Sequence, residues 1–516
     1  MANHPQPINR AALALAAAIM TLVPGTALVL ALYADHSTLR PAEWLALRFT
    51  VMQAAISAVL STALAIPVAR ALARRRFPGR GALLVLFGAP FLLPVVVAVI
   101  GILSVYGRNG IFNQGLAAVG LPPFSIFGLH GVVLAHVFFN LPLATRMILN
   151  GWLAIPAERF RLARTLRLSP RATFRHLEFP MLREVFPGVV LIVFLFCLAS
   201  FVVALTLGGG PKATTLELAI YQALRFDFAP GRAAVLAGLQ MILCVAAVAL
   251  SSRIALPSSF GTGLDRATEL APEGIWRIVL DTSVIGLATV FLITPLVYLL
   301  IDGLPALTSL SASVWHAALR SVVMAMASGL IATLAALVMA QCVAKRRWGS
   351  HWVEVAAMLP MAASGLVLGT GVFLMVRVIA RPEALALPVT VLINATMALP
   401  LLYRLLLPEA RALHAGYDRL ATALGMPFLV RLQRVTLPRL ARPLGLGTGI
   451  AAALSMGDLG VISLFAGEGN ATLPLVVQRL SGAYRVAEAS AASLVLVSAS
   501  LVLFLLFDLA GRHAAP

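Results

Sequence analysis

The sequence predicts an all-α membrane protein with about twelve transmembrane helices, arranged as two tandem halves of six helices each. Three observations predict this fold class. Hydrophobic residues make up 60% of the chain and charged residues only 11%, whereas soluble domains carry about 25% charged residues. Apolar stretches of about 20 residues, long enough to cross a bilayer, recur along the whole chain. Short patterns of the first half also return 258 residues later, at half of the 516-residue length.

Each apolar stretch of spanning length is assigned to one helix, and several carry Gly or Pro, which packed membrane helices tolerate. The twelve stretches lie near 11–33, 49–73, 82–105, 126–150, 187–207, 233–252, 278–301, 317–343, 353–376, 386–407, 443–465 and 487–509. The first is expected to be a retained helix, because its apolar part exceeds the roughly 7–15 residues of a signal-peptide core.

The distribution of basic residues predicts the orientation of the helices. With both termini in the cytoplasm, 27 of the 39 basic residues fall on the cytoplasmic side and 11 fall outside, as the positive-inside rule requires. Seven arginines lie between Arg159 and Arg183, and seven more between Arg404 and Arg442. Orientation alone explains these two basic loops, so we expect no nucleic acid as a partner. A membrane-anchored nucleic-acid binder stays as a weaker alternative.

The two basic loops also align with each other, residue by residue. At an offset of 258, the aligned pairs are Arg161 with Arg419, Ala163 with Ala421, Leu166 with Leu424, Arg167 with Gly425 and Pro180 with Pro438. The repeat predicts a first half over 1–255, a cytoplasmic linker over 256–274 and a second half over 275–516. The aligned loops lie near 156–186 and 408–442, and we call them the first and second coupling segments.

Local sequence predicts two short helices with a bend between them in the first coupling segment. Arg159 to Leu166 is typical of a helix, and Ser169-Pro170 is typical of a helix start, with a cap followed by Pro in the first turn. Gly425 is suited to the equivalent bend in the second segment. Pro180 and its counterpart are expected to end each element before the next spanning helix. A surface element present twice implies a partner that offers the same groove twice, most simply a homodimer.

The coupling segments resemble the signature of permeases of binding-protein-dependent ABC importers, which reads EAA, three residues, Gly, nine residues, I-x-L-P. Arg161 and Arg419 stand in place of the Glu, and Arg167 stands in place of the first Gly. In that family this element docks into a groove of the ATP-hydrolysing subunit. The resemblance therefore implies an ATPase-coupling role for Arg161, Ala163, Leu166, Arg167, Pro180, Arg419, Ala421, Leu424, Gly425 and Pro438.

Five further stretches resemble the fused thiamine permeases of Gram-negative bacteria. These stretches are 69–80, 96–110, 134–142, 207–224 and 454–465. The resemblance implies an inner-membrane permease that moves thiamine and its phosphate esters from periplasm to cytoplasm by alternating access. It also implies a homodimeric ATPase that uses ATP and Mg, and a periplasmic thiamine-binding protein. The permease itself would hold no cofactor and no catalytic site. Ferric iron or another small solute as cargo, and an ion-coupled secondary transporter, stay open as alternatives.

One carboxylate lies within the eleventh predicted helix, which is costly unless it faces a cavity or a partner. This residue is Asp458, and Ser200 precedes it by 258 residues. We expect both to line the translocation path, where a carboxylate would favour a cationic ring. The alternative is a structural hydrogen bond to a neighbouring helix.

Two glycine-containing turns on the outer side align with each other. The sequence GGGPKATT has a Lys, but the spacing does not match the phosphate-binding loop of an ATPase. These turns are expected near the binding-protein dock, at Gly208, Gly209, Gly210, Gly467 and Thr472, although ordinary turns explain them equally well. Thr214 aligns with Thr472 at the 258-residue offset.

Polar residues of the fourth helix do not have the pattern of a metal site. His130, His136 and Asn140 lack accompanying carboxylates, so interhelical hydrogen bonding is the expected role. Cys197, Cys244 and Cys342 each lie in an apolar stretch and are expected to be small buried hydrophobic residues. No metal is expected.

Overall fold

The computed structural model describes residues 7–35, 39–88, 93–251, 274–345, 349–467 and 469–514. Within these ranges the chain forms helices joined by turns, and no strand occurs in them. The predicted linker 256–274 lies outside the described residues, apart from its last residue.

The first half consists of long helices of spanning length with one or more short helices between some of them. They are α1 (Pro7–Tyr33), α2 (Pro41–Arg74), α3 (Arg80–Leu86), α4 (Val95–Tyr106), α5 (Ile111–Ala118), α6 (Leu129–Ala154), α7 (Ala157–Thr165), α8 (Pro170–Thr173), α9 (Phe179–Leu198), α10 (Phe201–Leu207), α11 (Leu216–Arg225) and α12 (Pro230–Ser251).

The second half repeats this order with fewer interruptions. Its helices are α13 (Ile275–Gly303), α14 (Ala312–Ala344), α15 (Ser350–Met358), α16 (Gly365–Ile379), α17 (Ala386–Ala423), α18 (Phe428–Arg431), α19 (Leu437–Met456), α20 (Gly460–Phe465), α21 (Leu473–Gly482) and α22 (Val486–His513). One turn of π-helix precedes α9 and another precedes α19, over Phe174–Glu178 and Leu432–Thr436.

The predicted fold class is confirmed. The third predicted span of each half differs, because neither forms one continuous helix. Eleven helices of the described ranges are long and apolar enough to span a membrane, and one bent pair brings the number to twelve. That pair replaces the single helix predicted over 353–376: Ser350–Ala362 and Gly365–Ile379 meet at 96°. Two helices also replace the single helix predicted over 82–105: α3 ends at Leu86, and α4 begins at Val95.

The centre of each half is a group of three mutually packed helices. In the first half α2, α6 and α9 contact one another, and in the second half α14, α17 and α19 do the same. Small residues allow this close packing. Gly329 of α14, for example, faces the backbone of α19 so closely that an added Cβ would lie 3.1 Å from the Thr448 carbonyl oxygen. The hydroxyls of Thr333 and Thr448 join the same two helices at 2.9 Å.

The first helix of each half packs against the other half. Helix α1 contacts α14, α15 and α16, and helix α13 contacts α2 and α4. A glycine lies at each of these crossings: a Cβ on Gly101 would lie 2.7 Å from the Pro295 carbonyl oxygen, and one on Gly371 would lie 2.7 Å from Thr26 Cβ. The two halves are therefore interlocked through the first helix of each.

Ion pairs fasten the ends of the helices. Arg75, which follows α2, donates to Asp281 of α13 at 2.8 Å. Near the opposite end of α2, Glu43 accepts from Arg232 of α12 at 2.8 Å. The three cysteines are buried, as expected. The loops 156–186 and 408–442 lie at the same end of the bundle, which we call the arginine-rich end.

Candidate coupling segments and translocation path

The first coupling segment has the predicted pair of short helices. Helix α7 ends at Thr165 and α8 begins at Pro170, with Ser169 as its cap, because the Ser169 hydroxyl accepts from the Ala172 N–H at 3.2 Å. Between them the chain turns at Arg167, whose φ is +48°. The Leu168 N–H donates to the Ala163 carbonyl at 2.9 Å. This hydrogen bond closes a helix C-terminus of the kind that normally ends in Gly.

The second coupling segment has the same backbone at its bend. Gly425 has φ of +57°, and the Met426 N–H donates to the Ala421 carbonyl at 3.0 Å. Gly adopts this left-handed conformation without steric cost, whereas Arg167 adopts it at a cost. The first short helix is not separate here, because α17 runs from the membrane span to Ala423 without a break.

The prolines of the signature lie at the start of the next helix, which corrects the expectation that they end the preceding element. Pro180 and Pro438 are the second residues of α9 and α19. A π-turn leads directly into each of these helices. Proline fits there because the first backbone N–H groups of a helix need no partner within the helix.

Both bends present the same surface. Ala163 and Ala421 are buried, at 6% and 4% exposure, which lets each bend pack closely on the body of the protein. Leu166 and Leu424 point outward, at 61% and 63% exposure. Leu162 and Leu420 are exposed beside them. Arg161 and Arg419 are also exposed. Each segment thus offers a pair of apolar side chains beside an arginine.

The first segment is anchored by a buried carboxylate. Glu178 is 1% exposed and accepts from Arg70 Nε at 2.6 Å and from Arg74 Nη2 at 3.2 Å. The Arg70 guanidinium also lies over the Phe174 ring, 4.9 Å from its centroid. Because a buried carboxylate needs a compensating charge, this contact fixes the π-turn to the end of α2.

The second segment is anchored by different residues. His414 Nε2 lies 2.7 Å from Gln341 Oε1, and His414 Nδ1 lies 2.7 Å from Asp418 Oδ1. Arg431 of α18 pairs with Asp418. This chain of contacts joins α14, α17 and α18. Thr436 occupies the position equivalent to Glu178, so the carboxylate of the first anchor has no counterpart there.

The fifth and eleventh spanning segments are each interrupted at the same point. Ser200 lies between α9 and α10, and Asp458 lies between α19 and α20. The expectation that Asp458 lies inside a continuous helix is therefore wrong. Such breaks in membrane helices occur where the backbone is buried in protein or lines a cavity, because unpaired backbone groups are not tolerated in lipid.

Equivalent polar side chains of the fourth and tenth spanning helices approach the two breaks. His136 Nε2 lies 2.7 Å from Ser200 Oγ, and His136 Nδ1 lies 3.1 Å from Ser57 Oγ. The interhelical hydrogen bonding expected for His136 is thus confirmed. Asn394, 258 residues later, donates to Ser455 Oγ at 3.0 Å.

The Asp458 carboxylate lies at the start of α20. It faces the backbone N–H groups of Gly460, Val461 and Ile462, and the Asn394 side chain lies beside it. The positive end of a helix favours an anion at this place. Its Oδ2 is buried without a hydrogen-bond partner in the described part of the chain.

Comparison with known proteins identifies the chain. It is 39% identical to the thiamine transport system permease protein of Salmonella typhimurium, over 91% of this chain and 90% of the relative. The Escherichia coli protein of the same name is also 39% identical, over 91% and 90% of the two chains. That of Brucella abortus is 37% identical over 95% and 93%.

The chain belongs to the thiamine transport system permease family.

Residues 332–516 also match the family of binding-protein-dependent transport system inner membrane components. This region contains the second coupling segment and the break at Asp458.

The two glycine-containing turns of the permease are only partly at the surface. Gly209 and Gly210 are exposed, and both have positive φ, of +73° and +121°. Gly208 is buried, and Thr472 is fully buried at the start of α21. Gly467 packs near Glu383. The structural counterpart of Thr472 is Thr215 rather than Thr214.

The match between Thr215 and Thr472 rests on equivalent hydrogen bonds. Thr215 precedes α11 and Thr472 precedes α21, and both have extended backbone. The following N–H groups, of Leu216 and Leu473, each donate at 2.8 Å to a hydroxyl of the second helix of their own half. A one-residue shift in the repeat therefore occurs before this turn.

Three polar residues of the permease that lie in or beside these sites are not among the residues predicted from the sequence. Glu178, Asp418 and Glu217 lie in or beside the sites, yet none belongs to the family signature. Glu217 had the clearest signal available, because it is a lone carboxylate in the apolar stretch LELAI. The partners of Glu178, and the helices that pack around Glu217, come from distant parts of the chain, so sequence spacing does not reveal them. Asp418 contacts His414, four residues earlier, but such a pair is common on helices and does not by itself indicate a site.

Proposed function

We propose that this chain is the membrane-spanning subunit of an ABC importer that carries thiamine, and its phosphate esters, from the periplasm into the cytoplasm. The curated relatives, which match nearly the whole chain, bear the name of thiamine transport permeases. The single observation that carries the mechanism is the pair of coupling segments, whose bends have the same backbone and present the same exposed leucines.

The paired segments support a homodimeric ATPase as partner. Leu166 and Leu424 are exposed to the same extent, and each follows a buried alanine by three residues. An ATPase dimer offers one groove per subunit, so two equal surfaces on a single chain fit two equal grooves. The arginine-rich end then faces the cytoplasm, and both termini are cytoplasmic. The positive-inside rule supports the same orientation.

The partner subunit, not the permease, supplies the energy for transport. ATP and Mg are bound and hydrolysed by the ATPase, and the permease is not an enzyme. When the ATPase dimer closes, it displaces both coupling segments, and the interlocked halves change which end of the path is open. The anchors at Glu178 and His414 transmit that displacement to α2 and α14 respectively.

We assign the translocation path to the two helix breaks. Ser200 and Asp458 lie at equivalent interruptions, and transporter binding sites are characteristically built from such discontinuous helices. Asp458 supplies a negative charge, which suits the positively charged thiazolium ring of thiamine. The periplasmic thiamine-binding protein docks at the opposite end, where the exposed Gly209 and Gly210 and the half-buried Gly467 form part of the surface.

Reconstitution of the complete importer tests this function. The permease, its ATPase and its binding protein are placed together in liposomes, and uptake of radiolabelled thiamine is measured. We expect uptake that requires ATP inside, where the ATPase lies, and loaded binding protein on the opposite side. A hydrolysis-deficient ATPase is the matched control and should abolish uptake.

Other results would identify the alternatives. Uptake of ferric iron, but not of thiamine, would replace the cargo while keeping the importer. Uptake driven by a proton or sodium gradient, without the ATPase, would instead indicate a secondary transporter and contradict the proposal.

A further inference from the structure

A second carboxylate, Glu217, lies buried at the boundary between the two halves. It is the second residue of α11, two positions after the cap residue Thr215, whose hydroxyl accepts from the Leu218 N–H at 3.3 Å. The Leu216 N–H is held by Thr50 Oγ1 of α2 at 2.8 Å. At the other end of α11, Arg225 donates to the Ala466 carbonyl of the second half at 3.3 Å. These hydrogen bonds hold both ends of α11 and therefore fix the backbone at Glu217.

The Glu217 side chain has no partner that compensates its charge. It is 1% exposed, and neither carboxylate oxygen has a hydrogen-bond partner of normal geometry among the described residues. Burying a carboxylate in this way is costly, and proteins normally supply a cation or several donors. Glu43, Glu178 and Asp281 follow that rule, because each is paired with arginine.

The polar neighbours of Glu217 come from the other half. Helix α11 packs against α16 and α20 of that half, and this contact brings Glu217 near the hydroxyl of Ser364, which caps α16, and on the same side as the carboxylate of Asp458, which precedes α20. Phe201 and Gly460 approach each other at the same place, since a Cβ on Gly460 would lie 3.9 Å from Phe201 Cδ1. The two carboxylates therefore lie where the broken helices of both halves meet.

The internal repeat does not account for this pair. The position equivalent to Glu217 is Pro474, one residue after Leu473, and the position equivalent to Asp458 is Ser200. Each half contributes one carboxylate, from a different element, and the equivalent place in the other half has none. The asymmetry concentrates two buried carboxyl groups in one region, and their oxygens Glu217 Oε1, Glu217 Oε2 and Asp458 Oδ2 have no hydrogen-bond partner among the described residues.

We propose that Glu217 and Asp458 together form an organic-cation site inside the permease, which receives the cargo on its way through the membrane. This inference rests on the proposed import function and adds Glu217 as a recognition residue. The thiazolium ring of thiamine carries a fixed positive charge, and the aminopyrimidine ring carries N–H donors. One carboxylate offsets the ring charge and the other accepts a hydrogen bond, with Ser364 and Asn394 as neutral contacts.

The test uses the complete importer in liposomes, with two readouts on each variant. Uptake of radiolabelled thiamine reports passage through the permease, and ATP hydrolysis stimulated by loaded binding protein reports assembly and coupling. The variants are Glu217→Gln and Asp458→Asn. The matched control is Asp508→Asn, a buried carboxylate of α22 that pairs with Arg512 outside the path.

We expect Glu217→Gln and Asp458→Asn each to lower thiamine uptake about tenfold or more, the effect of losing one charged hydrogen bond. Stimulated ATP hydrolysis should stay near that of the unmodified importer. Asp508→Asn should change neither readout appreciably. Glu217→Asp keeps the charge and should restore part of the uptake that Glu217→Gln loses.

Three results would overturn the site. Uptake by Glu217→Gln equal to that of the unmodified importer would show that the carboxylate is not used. Equal loss of uptake and of stimulated hydrolysis in Glu217→Gln and Glu217→Asp would assign Glu217 to folding. A dependence of uptake on a sodium or proton gradient that the variants abolish would assign the pair to an inorganic cation. Failure of the unmodified importer to take up thiamine would contradict the proposed function instead.

Discussion

The two coupling segments have the same bend but are attached to the protein by different residues. Arg167 and Gly425 have nearly the same φ, and the hydrogen bond that closes each bend is the same. The first segment is attached through Glu178 and two arginines, whereas the second is attached through His414 and Gln341. Under the proposed function the ATPase docks on the presented surface and constrains its residues, whereas the anchor only has to hold that surface in place.

The largest difference between the halves should follow removal of the first anchor. Glu178→Ala leaves Arg70 and Arg74 without their buried counter-charge, so we expect the free energy of unfolding to fall by about 3 kcal/mol. Arg70 is 30% exposed, which keeps the effect at the lower end of the range for buried pairs. Thr436→Ala, at the equivalent position, should cost less than about 1 kcal/mol. Chemical denaturation of the purified protein in detergent measures both, and equal effects would contradict the assigned anchors.

The next largest effect concerns the glycines where the halves interlock. Gly101→Ala places a Cβ 2.7 Å from a backbone oxygen of Pro295, and Gly371→Ala places one 2.7 Å from the Thr26 side chain. Both should destabilise, by about 2 kcal/mol for Gly101 and less for Gly371, because a side chain shifts more easily than backbone. Gly286→Ala, with nothing within 4 Å, is the control. Thermal unfolding of the three variants ranks them.

If the ATPase docks equally on both coupling segments, substitutions at the two exposed leucines should weaken its binding equally. Leu166→Asp and Leu424→Asp each remove one apolar contact and add a charge, so the dissociation constant for the ATPase should rise about tenfold in both. Titration of the ATPase onto detergent-purified permease measures this constant. An effect confined to one leucine would break the equivalence of the two surfaces, and no effect at either would remove them from the interface.

The smallest predicted effect tests the cost of the arginine in the first bend. Arg167→Gly should stabilise the permease by about 1 kcal/mol, because Gly adopts the left-handed conformation freely. Gly425→Arg should destabilise it by a similar amount. Both residues are exposed, so neither change disturbs packing. Opposite shifts in the melting temperature are expected, and a loss of stability in Arg167→Gly would mean that the arginine makes a stabilising contact.

Much of the coupling segments was predictable because their signals are local. The cap at Ser169, the bend at Gly425 and the alignment of Ala163 with Ala421 depend on residues close together in sequence. The sequence does not decide the placement of Pro180, because proline is compatible with both the end of one element and the first turn of the next. The sequence does not reveal that α17 continues to Ala423, where its last turns pack against α14 through His414 and Gln341.

The sequence by itself determined the number of spans, the tandem repeat and the two exposed bends. Those properties follow from hydropathy, from charge and from backbone preferences of individual residues, all of which act locally. Only the tertiary structure decided where the fifth and eleventh spans break, how the first helix of each half crosses to the other, and that the helix of Glu217 packs against the one that Asp458 precedes. A break or a buried charge within an apolar segment is tolerated only when distant residues surround it, and those neighbours are set by packing rather than by spacing along the chain.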